Sequence, residues 1–305
     1  MRFLVEASGS LTSTYLINSI KSAGHEVIAS DINSHCAGRY LADDFMLMPK
    51  VSDEKLWDKV TILLKKHGVD VVIPSLDEML LGWAERKEHF RNMGVTIICS
   101  AASTIRVFQD KWLTYRFFSK NSIPTPATSL TQDYPLLKPR YGRGAKGIKI
   151  ASEPISMTGY ISQEVVQGQE YTVDVLCNKD SKPLYIVPRI RQGVKDGKST
   201  GGVVIDHPGI TDWVQRICQL SSFQGPINLQ CFICDDGSIK FIEINPRVAG
   251  GMALGFAATE NWIPLLVNHF VYGKEIANLK PIQYGMMMRR YYAEVFVPPS
   301  NMGSN

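Results

Sequence analysis

Short apolar runs alternate with amphipathic segments along the first hundred residues. The apolar runs have the length and composition of buried strands, and they are "RFLVEA", "HEVIASD", "VDVVIPS" and "VTIICS". The segments between them repeat their apolar residues at helical spacing, and they are "STYLINSIKSAG", "EKLWDKVTILLKKHG" and "DEMLLGWAERKEHFRNMG". Strands that alternate with helices indicate βαβ units and a parallel sheet. The pattern therefore predicts an α/β domain over residues 1–102.

The pattern changes after this domain. Residues 103–122 predict one helix with Ser103 as its N-cap, and the two prolines of "IPTPATS" predict a boundary. A strand, a glycine-rich loop and a second strand follow in "YPLLKPRYGRGAKGIKIAS", and the chain is β-rich from about residue 184. The "DDG" between two later apolar runs is typical of a hairpin turn. We predict a connecting helix with a small subdomain over 103–168 and a C-terminal subdomain over 169–305.

Composition narrows the classes of function. The 305 residues carry a formal charge of +4 and no long basic run, so no nucleic-acid partner is predicted. No stretch approaches the roughly 18 consecutive apolar residues of a membrane span, and the start "MRFLVEASGS" lacks a signal-peptide core. We therefore predict a cytoplasmic protein without a membrane partner. Six cysteines are sparse for a disulfide scaffold, and Cys231 and Cys234 lack the second ligand pair of a zinc site, which favours structural cysteines.

A group of polar residues ends the apolar run "FIEINPR". Glu243, Asn245 and Arg247 stand at alternating positions, which share one face of a strand. The predicted hairpin brings Gln230 of the preceding strand beside them. One carboxylate and two amide oxygens suit Mg²⁺ that arrives with its own phosphate ligands. The alternative is a polar edge on an exposed hairpin.

The stretch "LKPRYGRGAKGI" combines a lysine with a glycine-rich loop. Lys138 ends an apolar strand, and Gly142, Gly144 and Gly147 follow within nine residues. Glycines let backbone amides turn towards phosphate oxygens, and a lysine adds a positive charge. The P-loop pattern is absent from the sequence, and a mobile surface hairpin is the alternative.

Two further stretches carry candidate binding residues. "QEVVQGQEYTVDV" could present backbone groups to a purine and the Glu170 carboxylate to a ribose, although an ordinary strand–turn–strand has the same pattern. Arg189 and Arg191 in "PRIRQG" could hold a substrate carboxylate in bidentate fashion. The alternative for these two arginines is a surface strand with solvated side chains.

A nucleotide site on the first domain is another alternative. The turn after the first strand contains Gly9 but no GxGxxG motif, and Asp31 ends the second strand, where it could contact a ribose. A loop or capping aspartate is the simpler interpretation of Asp31. The function that would follow from a dinucleotide site is a nucleotide-dependent oxidoreductase.

The order of these elements resembles the ATP-grasp enzymes. Lys111 lies in a helix, Lys138 precedes the glycine loop, "QEVVQGQE" follows, and Gln230 and "EINPR" come last. This final cluster is similar to the synthetase halves of the carbamoyl-phosphate synthase large subunit. The opening "VEASGS", "IASD" and "VVIPSLDEMLL" resemble the domain that precedes ATP-grasp in short relatives of that subunit. The resemblance implies a Rossmann-like pre-ATP-grasp domain followed by an ATP-grasp fold, α/β overall and α+β in the nucleotide-binding part.

The resemblance implies a role for each matching residue. ATP and Mg²⁺, with Mn²⁺ as an alternative, are the expected cofactors. Arg247 would stabilise the transferring γ-phosphoryl group, and with Lys138, Arg189 and Arg191 it makes up the predicted catalytic set. The other implied roles are phosphate binding by Lys111, Lys138 and the loop from Gly142 through Gly144 to Gly147, adenine recognition by backbone groups of Glu164 and Val166, ribose binding by Glu170, and coordination of one or two metal ions by Gln230, Glu243 and Asn245.

The sequence also departs from the family pattern. Gln163 stands where many relatives carry an acid, and the stretch from 150 to 160 is short enough for the usual lid helix to be missing. The chain matches one synthetase unit, so carbamoyl phosphate is not the expected product. The predicted function is an ATP-dependent carboxylate–amine ligase that forms an acyl phosphate on a small metabolite such as an amino acid. Its partners would be a small carboxylate and an amine, a homodimer is compatible, and a non-catalytic ATP-binding regulatory module is the alternative.

Overall fold

Three β-sheets organise the chain. The computed structural model describes residues 1–10, 12–144, 146–195, 198–291 and 293–298. The first sheet lies within residues 2–97, the second within 128–163 and the third within 168–289. The proposed boundaries at 102 and 168 therefore leave essentially one sheet in each part of the chain. No helix in these described ranges is long and apolar enough to cross a membrane.

The first sheet is parallel throughout, as the alternating pattern predicts. Its strand order is β3-β2-β1-β4-β5, and the strands are β1 (Arg2–Val5), β2 (Glu26–Asp31), β3 (Asp44–Leu47), β4 (Val71–Val72) and β5 (Thr96–Ile97). The helices around it are α1 (Ser13–Ser22), α2 (Gly38–Leu41), α3 (Leu56–His67), α4 (Asp77–Glu85) and α5 (Lys87–Asn92). Phe3 packs on the α1 side of the sheet and Leu4 on the α3 side, so both faces are buried. The predicted α/β class is confirmed.

Two of the predicted helices are each divided into two. Residues 103–122 form α6 (Ala102–Gln109) and α7 (Lys111–Lys120), and Ser103 is not an N-cap because α6 already begins at Ala102. The break lies at Asp110, whose extended backbone and capping carboxylate start the second helix. The segment after Leu76 breaks at Arg86 between α4 and α5. Apolar spacing continues across both breaks, so periodicity alone predicts one helix in each case.

The second sheet is small and antiparallel. Its order is β6-β9-β7-β8, with β6 (Thr128–Ser129), β7 (Leu136–Pro139), β8 (Lys149–Ile150) and β9 (Tyr160–Gln163). The glycine-rich loop connects β7 to β8. Residues 151–159 are all described and contain no helix, which agrees with the expectation that the usual lid helix is missing.

The third sheet is antiparallel and provides the largest surface. Its order is β14-β13-β10-β11-β12-β15, with β10 (Gly168–Cys177), β11 (Pro183–Lys195), β12 (Lys198–Val204), β13 (Gly225–Cys234), β14 (Ile239–Asn245) and β15 (Met287–Arg289). The predicted hairpin at "DDG" joins β13 to β14, and Gly237 has the positive φ (+81°) that this turn requires. The remaining helices are α8 (Pro208–Gln219), α9 (Ala253–Ala258) and α10 (Trp262–Leu266), followed by a π-helical turn (Val267–Val271).

The two faces of the third sheet differ in polarity. One face packs its aliphatic side chains against α8, where Ile210, Val214 and Ile217 complete the core. The other face, called the polar face from here on, carries Glu170, Thr172, Asp174, Arg189, Arg191, Asn228, Gln230, Glu243 and Asn245. Polar side chains on one face of a sheet normally contact solvent or a ligand, so this face is the candidate binding surface. The six cysteines are free thiols, in agreement with the prediction that no disulfide scaffold exists.

Candidate active site

Strand register gathers the predicted metal ligands on the polar face. Gln230 pairs with Glu243 across β13 and β14, and Asn228 pairs with Asn245 in the same hairpin. Directly paired residues of antiparallel strands have their side chains on the same face, with Cβ atoms about 4.5–5.5 Å apart. The structure therefore brings Gln230, Glu243 and Asn245 together as the sequence predicts.

The chemistry of this trio suits magnesium that carries phosphate ligands. Gln230 and Glu243 are half-buried, so their oxygens can reach a ligand, and Asn245 Oδ1 accepts one bond from Arg247 Nη2 at 3.2 Å. Within the described ranges, no group of three His, Cys, Asp or Glu side chains could hold a metal ion. One carboxylate and two amide oxygens leave coordination positions for phosphate oxygens and water, and such mixed shells are what Mg²⁺ prefers.

Lys138 extends from the small sheet towards the polar face. Burial lowers the pKa of its ammonium group, while the negative charges of Glu243 and Glu170 raise it and the positive charge of Lys111 lowers it further. Lys138 is therefore within electrostatic reach of two acidic residues of the polar face and of Lys111. Lys138 Nζ donates to Gln163 Oε1 at 2.6 Å. Gln163 is thus a neutral acceptor for Lys138 at the position where an acid was expected from relatives.

We predict that Lys138→Met weakens MgADP binding at least tenfold, because it removes one of the positive charges proposed to hold the phosphates. The Lys138 amine donates to Gln163, whose side chain is only 5% exposed. The change leaves this buried acceptor without its partner, so we also expect a stability loss of about 1–2 kcal/mol. Calorimetric titration with MgADP and thermal unfolding measure both effects. Lys149→Met, on the exposed strand beside it, is the matched control and should leave binding unchanged.

The pH dependence of stability gives a second readout of the same variant. A lysine whose folded-state pKa lies below its ordinary 10.5 destabilises the protein at neutral pH, and this cost falls as pH rises through the lowered pKa towards 10.5. The wild type should therefore gain stability relative to Lys138→Met over that alkaline interval. Equal slopes for the two proteins would contradict the burial of a charged Lys138.

The glycine-rich loop has the backbone that its sequence predicts. Gly142, Gly144 and Gly147 have φ values of +117°, +64° and +74°, a region that side chains disfavour. Lys111 lies at the first turn of α7, where its Nζ donates to the Gly142 carbonyl at 3.0 Å. The structure therefore places Lys111 against the loop and within electrostatic reach of Lys138.

Asp110 anchors the base of this loop and was missed by the sequence analysis. Its side chain is 1% exposed, caps α7 through Trp112 N at 2.9 Å, and accepts from Arg140 Nε at 3.2 Å and Tyr141 Oη at 2.9 Å. Burial alone would raise the pKa of Asp110, but the bonds from Arg140 and Tyr141 hold it below its ordinary value. Its signal in the sequence was a capping residue between two helical segments.

The proposed adenine segment links the second and third sheets. Residues 164–167 contain no helix or strand. The Glu164 N–H donates to the Ala127 carbonyl at 2.9 Å, and the Glu164 carboxylate accepts from Lys240 Nζ at 2.8 Å. The Glu164 carbonyl and the Val166 N–H make no hydrogen bond with the described residues. Of the backbone groups proposed for adenine, the Glu164 N–H is engaged, whereas these two are available to a ligand.

The two candidate arginines differ in their surroundings. Arg191 Nη1 donates to Glu170 Oε1 at 2.9 Å, so the proposed ribose ligand and one proposed substrate ligand are paired. Arg189 is 2% exposed, and its Nε and Nη2 donate to Asp174 at 2.7 and 3.2 Å. The alternative of a solvated side chain is therefore wrong for Arg189. Sequence analysis missed Asp174, although Glu170, Thr172 and Asp174 alternate as visibly as the residues of "EINPR".

Arg247 is paired with an acid of the first domain. Its Nε and Nη2 donate to Asp77 Oδ1 and Oδ2 at 2.5 and 2.6 Å. Burial alone would lower the pKa of Arg247, but the charge and bonds of Asp77 raise it, so the guanidinium stays charged. Asp77 and its neighbour Glu78 also approach Arg143 of the glycine loop, at 3.8 and 3.1 Å. The first domain thus contributes to the cleft through the start of α4.

The turn after β1 shows how Asp31 is used. Asp31 Oδ2 accepts from the Gly9 N–H at 2.9 Å, and Oδ1 accepts from the Asn33 N–H at 3.0 Å. Its carboxylate therefore holds its own loops together, which favours the loop interpretation over ribose binding.

Two family models match the chain. The model described as "PylC-like, N-terminal domain" matches residues 6–98, and "ATP-grasp in the biosynthetic pathway with Ter operon" matches residues 156–292. The carbamoyl phosphate synthase large chain of Methanothermobacter thermautotrophicus is 24% identical over 285 residues, which cover 79% of this chain and 26% of that protein. The chain spans 18% to 26% of the length of this and four other such large chains.

Solved structures of ATP-grasp enzymes share the fold. N5-carboxyaminoimidazole synthetase from Staphylococcus aureus, complexed with ADP, has a TM-score of 0.71 at 16% identity and covers 94% of this chain and 81% of its own. The biotin carboxylase domain dimer of Hydrogenobacter thermophilus 2-oxoglutarate carboxylase, in complex with MgADP, ADP and bicarbonate, has a TM-score of 0.71 at 14% identity. It covers 94% of this chain and 73% of its own. At these identities the likeness concerns the fold alone, and it confirms the predicted order of an N-terminal pre-ATP-grasp domain followed by an ATP-grasp fold.

Proposed function

We propose that this chain, an ATP-grasp protein that resembles one synthetase unit of the carbamoyl phosphate synthase large chain, is an ADP-forming carboxylate–amine ligase. Its cofactors would be ATP and Mg²⁺, in line with relatives of the same fold that are complexed with ADP or MgADP. Its substrates would be a small carboxylate and an amine.

One observation carries this proposal: the groups proposed for phosphate binding and metal binding come from different parts of the chain and lie close to one another. Lys138 on the small sheet is within electrostatic reach of Glu243 on the polar face, and Lys111 borders the glycine loop. Phosphoryl transfer depends on positioning and on cations that neutralise charge on the equatorial oxygens. Two lysines, an arginine and three metal-ligand side chains close together match the charges of a metal–nucleotide complex, and packing alone does not require them.

Each residue has a proposed part in the reaction. Lys111, Lys138 and the loop amides would hold the α- and β-phosphates, and Arg247 would neutralise charge on the γ-phosphoryl group. Mg²⁺ held by Gln230, Glu243 and Asn245 would neutralise phosphate charge when bound. The Glu164 carbonyl and Val166 N–H would bind adenine, and Glu170, oriented by Arg191, would bind the ribose.

The carboxylate substrate must lie where its oxygen can attack the γ-phosphorus. The acyl phosphate that forms has a good leaving group, so an amine can then displace phosphate and form the amide. Arg189 and Arg191 stay the proposed groups for the substrate carboxylate, with Arg191 shared with Glu170.

ADP release tests this proposal directly. The full chain with MgATP should release ADP and give a new condensed mass only when a suitable carboxylate and amine from pooled amino acids and small acids are present. MgADP binding without acid-dependent ADP release in any pool would instead support the regulatory module. Binding of NAD without binding of MgADP would support the oxidoreductase.

A further inference from the structure

Two buried polar atoms of the polar face lack hydrogen-bond partners. Among the described residues, these are Thr172 Oγ1 and Arg189 Nη1. Both residues are 2% exposed, and they are directly paired across β10 and β11. Buried hydroxyl and guanidinium groups are normally satisfied, since an unpaired one is costly. Two adjacent exceptions on the same face indicate a ligand that satisfies both.

The position of the Arg189 guanidinium is fixed by its other bonds. Asp174 accepts from Nε and Nη2, and Asp174 Oδ1 also accepts from Asn228 Nδ2 at 2.7 Å. These bonds occupy the edge of the guanidinium formed by Nε and Nη2. Nη1 therefore lies on the remaining side, where a planar fork suits an oxygen acceptor such as a carboxylate.

Gly251 lets the Arg189 guanidinium pack directly against the backbone. A Cβ at residue 251 would lie 2.4 Å from Arg189 Nη2 and 2.9 Å from Nη1, which is closer than atoms can approach. The φ of Gly251 is not in the positive region, so space alone requires glycine here. Gly250 differs, because a Cβ there would meet only Thr12 Oγ1, at 3.3 Å.

The neighbours of these atoms suit an anion next to the metal trio. Thr172 also pairs with Gln230 on its other side, so it lies between Arg189 and a proposed metal ligand. Arg290 Nη2 donates to the carbonyl of Gly250, and burial and the positive charge of Arg189 both lower the pKa of Arg290, so a second guanidinium lies nearby. A bound carboxylate would lie between this positive region and the phosphates.

We propose that Thr172 Oγ1 and Arg189 Nη1 form a buried subsite that binds the carboxylate to be phosphorylated, with Gly251 allowing the guanidinium to take up this position. This inference rests on the proposed ligase function. One oxygen of the bound carboxylate attacks the γ-phosphorus of ATP, its new bond to phosphorus forms as the bond to the β-phosphate oxygen breaks, and ADP leaves with that electron pair. Thr172 is in this way a substrate-binding residue beside Arg189, while Arg191 is shared with Glu170.

Acetate is a suitable probe for the subsite. We expect ¹³C-labelled acetate, titrated into the MgADP-loaded full chain and followed by NMR, to bind about tenfold or more weakly to Thr172→Val, because a hydrogen bond to a charged group is lost. Thr172→Ser keeps the hydroxyl and should bind within about threefold of the wild type. MgADP affinity should be the same in all three proteins.

Stability separates this proposal from a purely structural hydroxyl. Removing a buried hydroxyl without a partner should leave the melting temperature unchanged or higher, so Thr172→Val folds and its acetate affinity is interpretable. Gly251→Ala should also abolish acetate binding, because its Cβ would displace the Arg189 guanidinium, whereas Gly250→Ala is the matched control and should retain it.

Several outcomes would overturn the subsite. Equal acetate affinity in the wild type and Thr172→Val would do so, and so would inorganic phosphate binding that depends on Thr172 while acetate binding does not. Failure of the wild type to bind MgADP would count against the ligase function alone. If the wild type binds no MgADP but its acetate binding still depends on Thr172, the subsite is supported and the ligase function is not.

Discussion

Replacing Glu243 with alanine should lower acid-dependent ADP release by about 1,000-fold or more, because Glu243 is the only carboxylate of the metal trio. Gln230 and Asn245 supply neutral oxygens, which hold a divalent cation weakly without it. The measurement is the rate of ADP formation over a magnesium titration. Added magnesium should restore part of the lost rate if the defect lies in metal affinity.

The fold should survive this change. The half-buried Glu243 side chain makes no hydrogen bond or ion pair with the described residues, so alanine should alter stability by only about 0.5 kcal/mol. Asp236→Ala at the exposed turn of the same hairpin is the matched control, and its rate should stay within about twofold of the wild type. A Glu243→Ala enzyme with wild-type rates at limiting magnesium would show that the metal assignment is wrong.

The sequence predicts the sheets and part of the cleft because these follow local patterns. Alternation at two-residue spacing places Glu243 and Asn245 on one face, and the glycines after Lys138 mark a loop with positive φ. The same alternation in Glu170, Thr172 and Asp174 could have revealed the rest of the polar face.

The missed features depend on contacts that are distant in sequence or on caps. Asp77 and Arg247 are 170 residues apart, and an acid in the first turn of a helix has a sufficient local explanation in the helix dipole. Asp110 is a similar case, since its capping role is local but its bonds to Arg140 and Tyr141 appear only after the glycine loop folds back. Helix periodicity likewise continues through Asp110 and conceals the break there.

The second large effect concerns Arg247. We expect Arg247→Lys to lower the maximal rate about 100- to 1,000-fold while ATP affinity changes little, because lysine keeps the charge but loses the planar fork. The structure adds a second consequence, since lysine cannot make both bonds to Asp77 and the link between the first domain and the cleft weakens. Steady-state kinetics with ATP varied at saturating acid and amine separate the two parameters.

Asp77→Asn shows whether Asp77 orients Arg247 for the reaction or only holds the first domain against the third sheet. If Asp77 orients Arg247, this variant should lower the maximal rate by about tenfold without changing MgADP affinity, whereas loss of melting temperature alone would make the pair structural. Glu78→Gln is the matched neighbour, because it removes only the exposed pair with Arg143 and should be nearly neutral.

An opposite result for Arg247→Lys would reassign the residue. A variant that binds ATP several hundred-fold more weakly at an unchanged maximal rate would place Arg247 in ground-state nucleotide binding. Its contribution to the binding free energy of ATP would then be about 3 kcal/mol or more. Asp77 would then hold a nucleotide-binding cation in place until the phosphates arrive. The cation that stabilises the transferring group would have to be sought at Arg191 or at Nη1 of Arg189, since the Nε–Nη2 edge of Arg189 is engaged by Asp174.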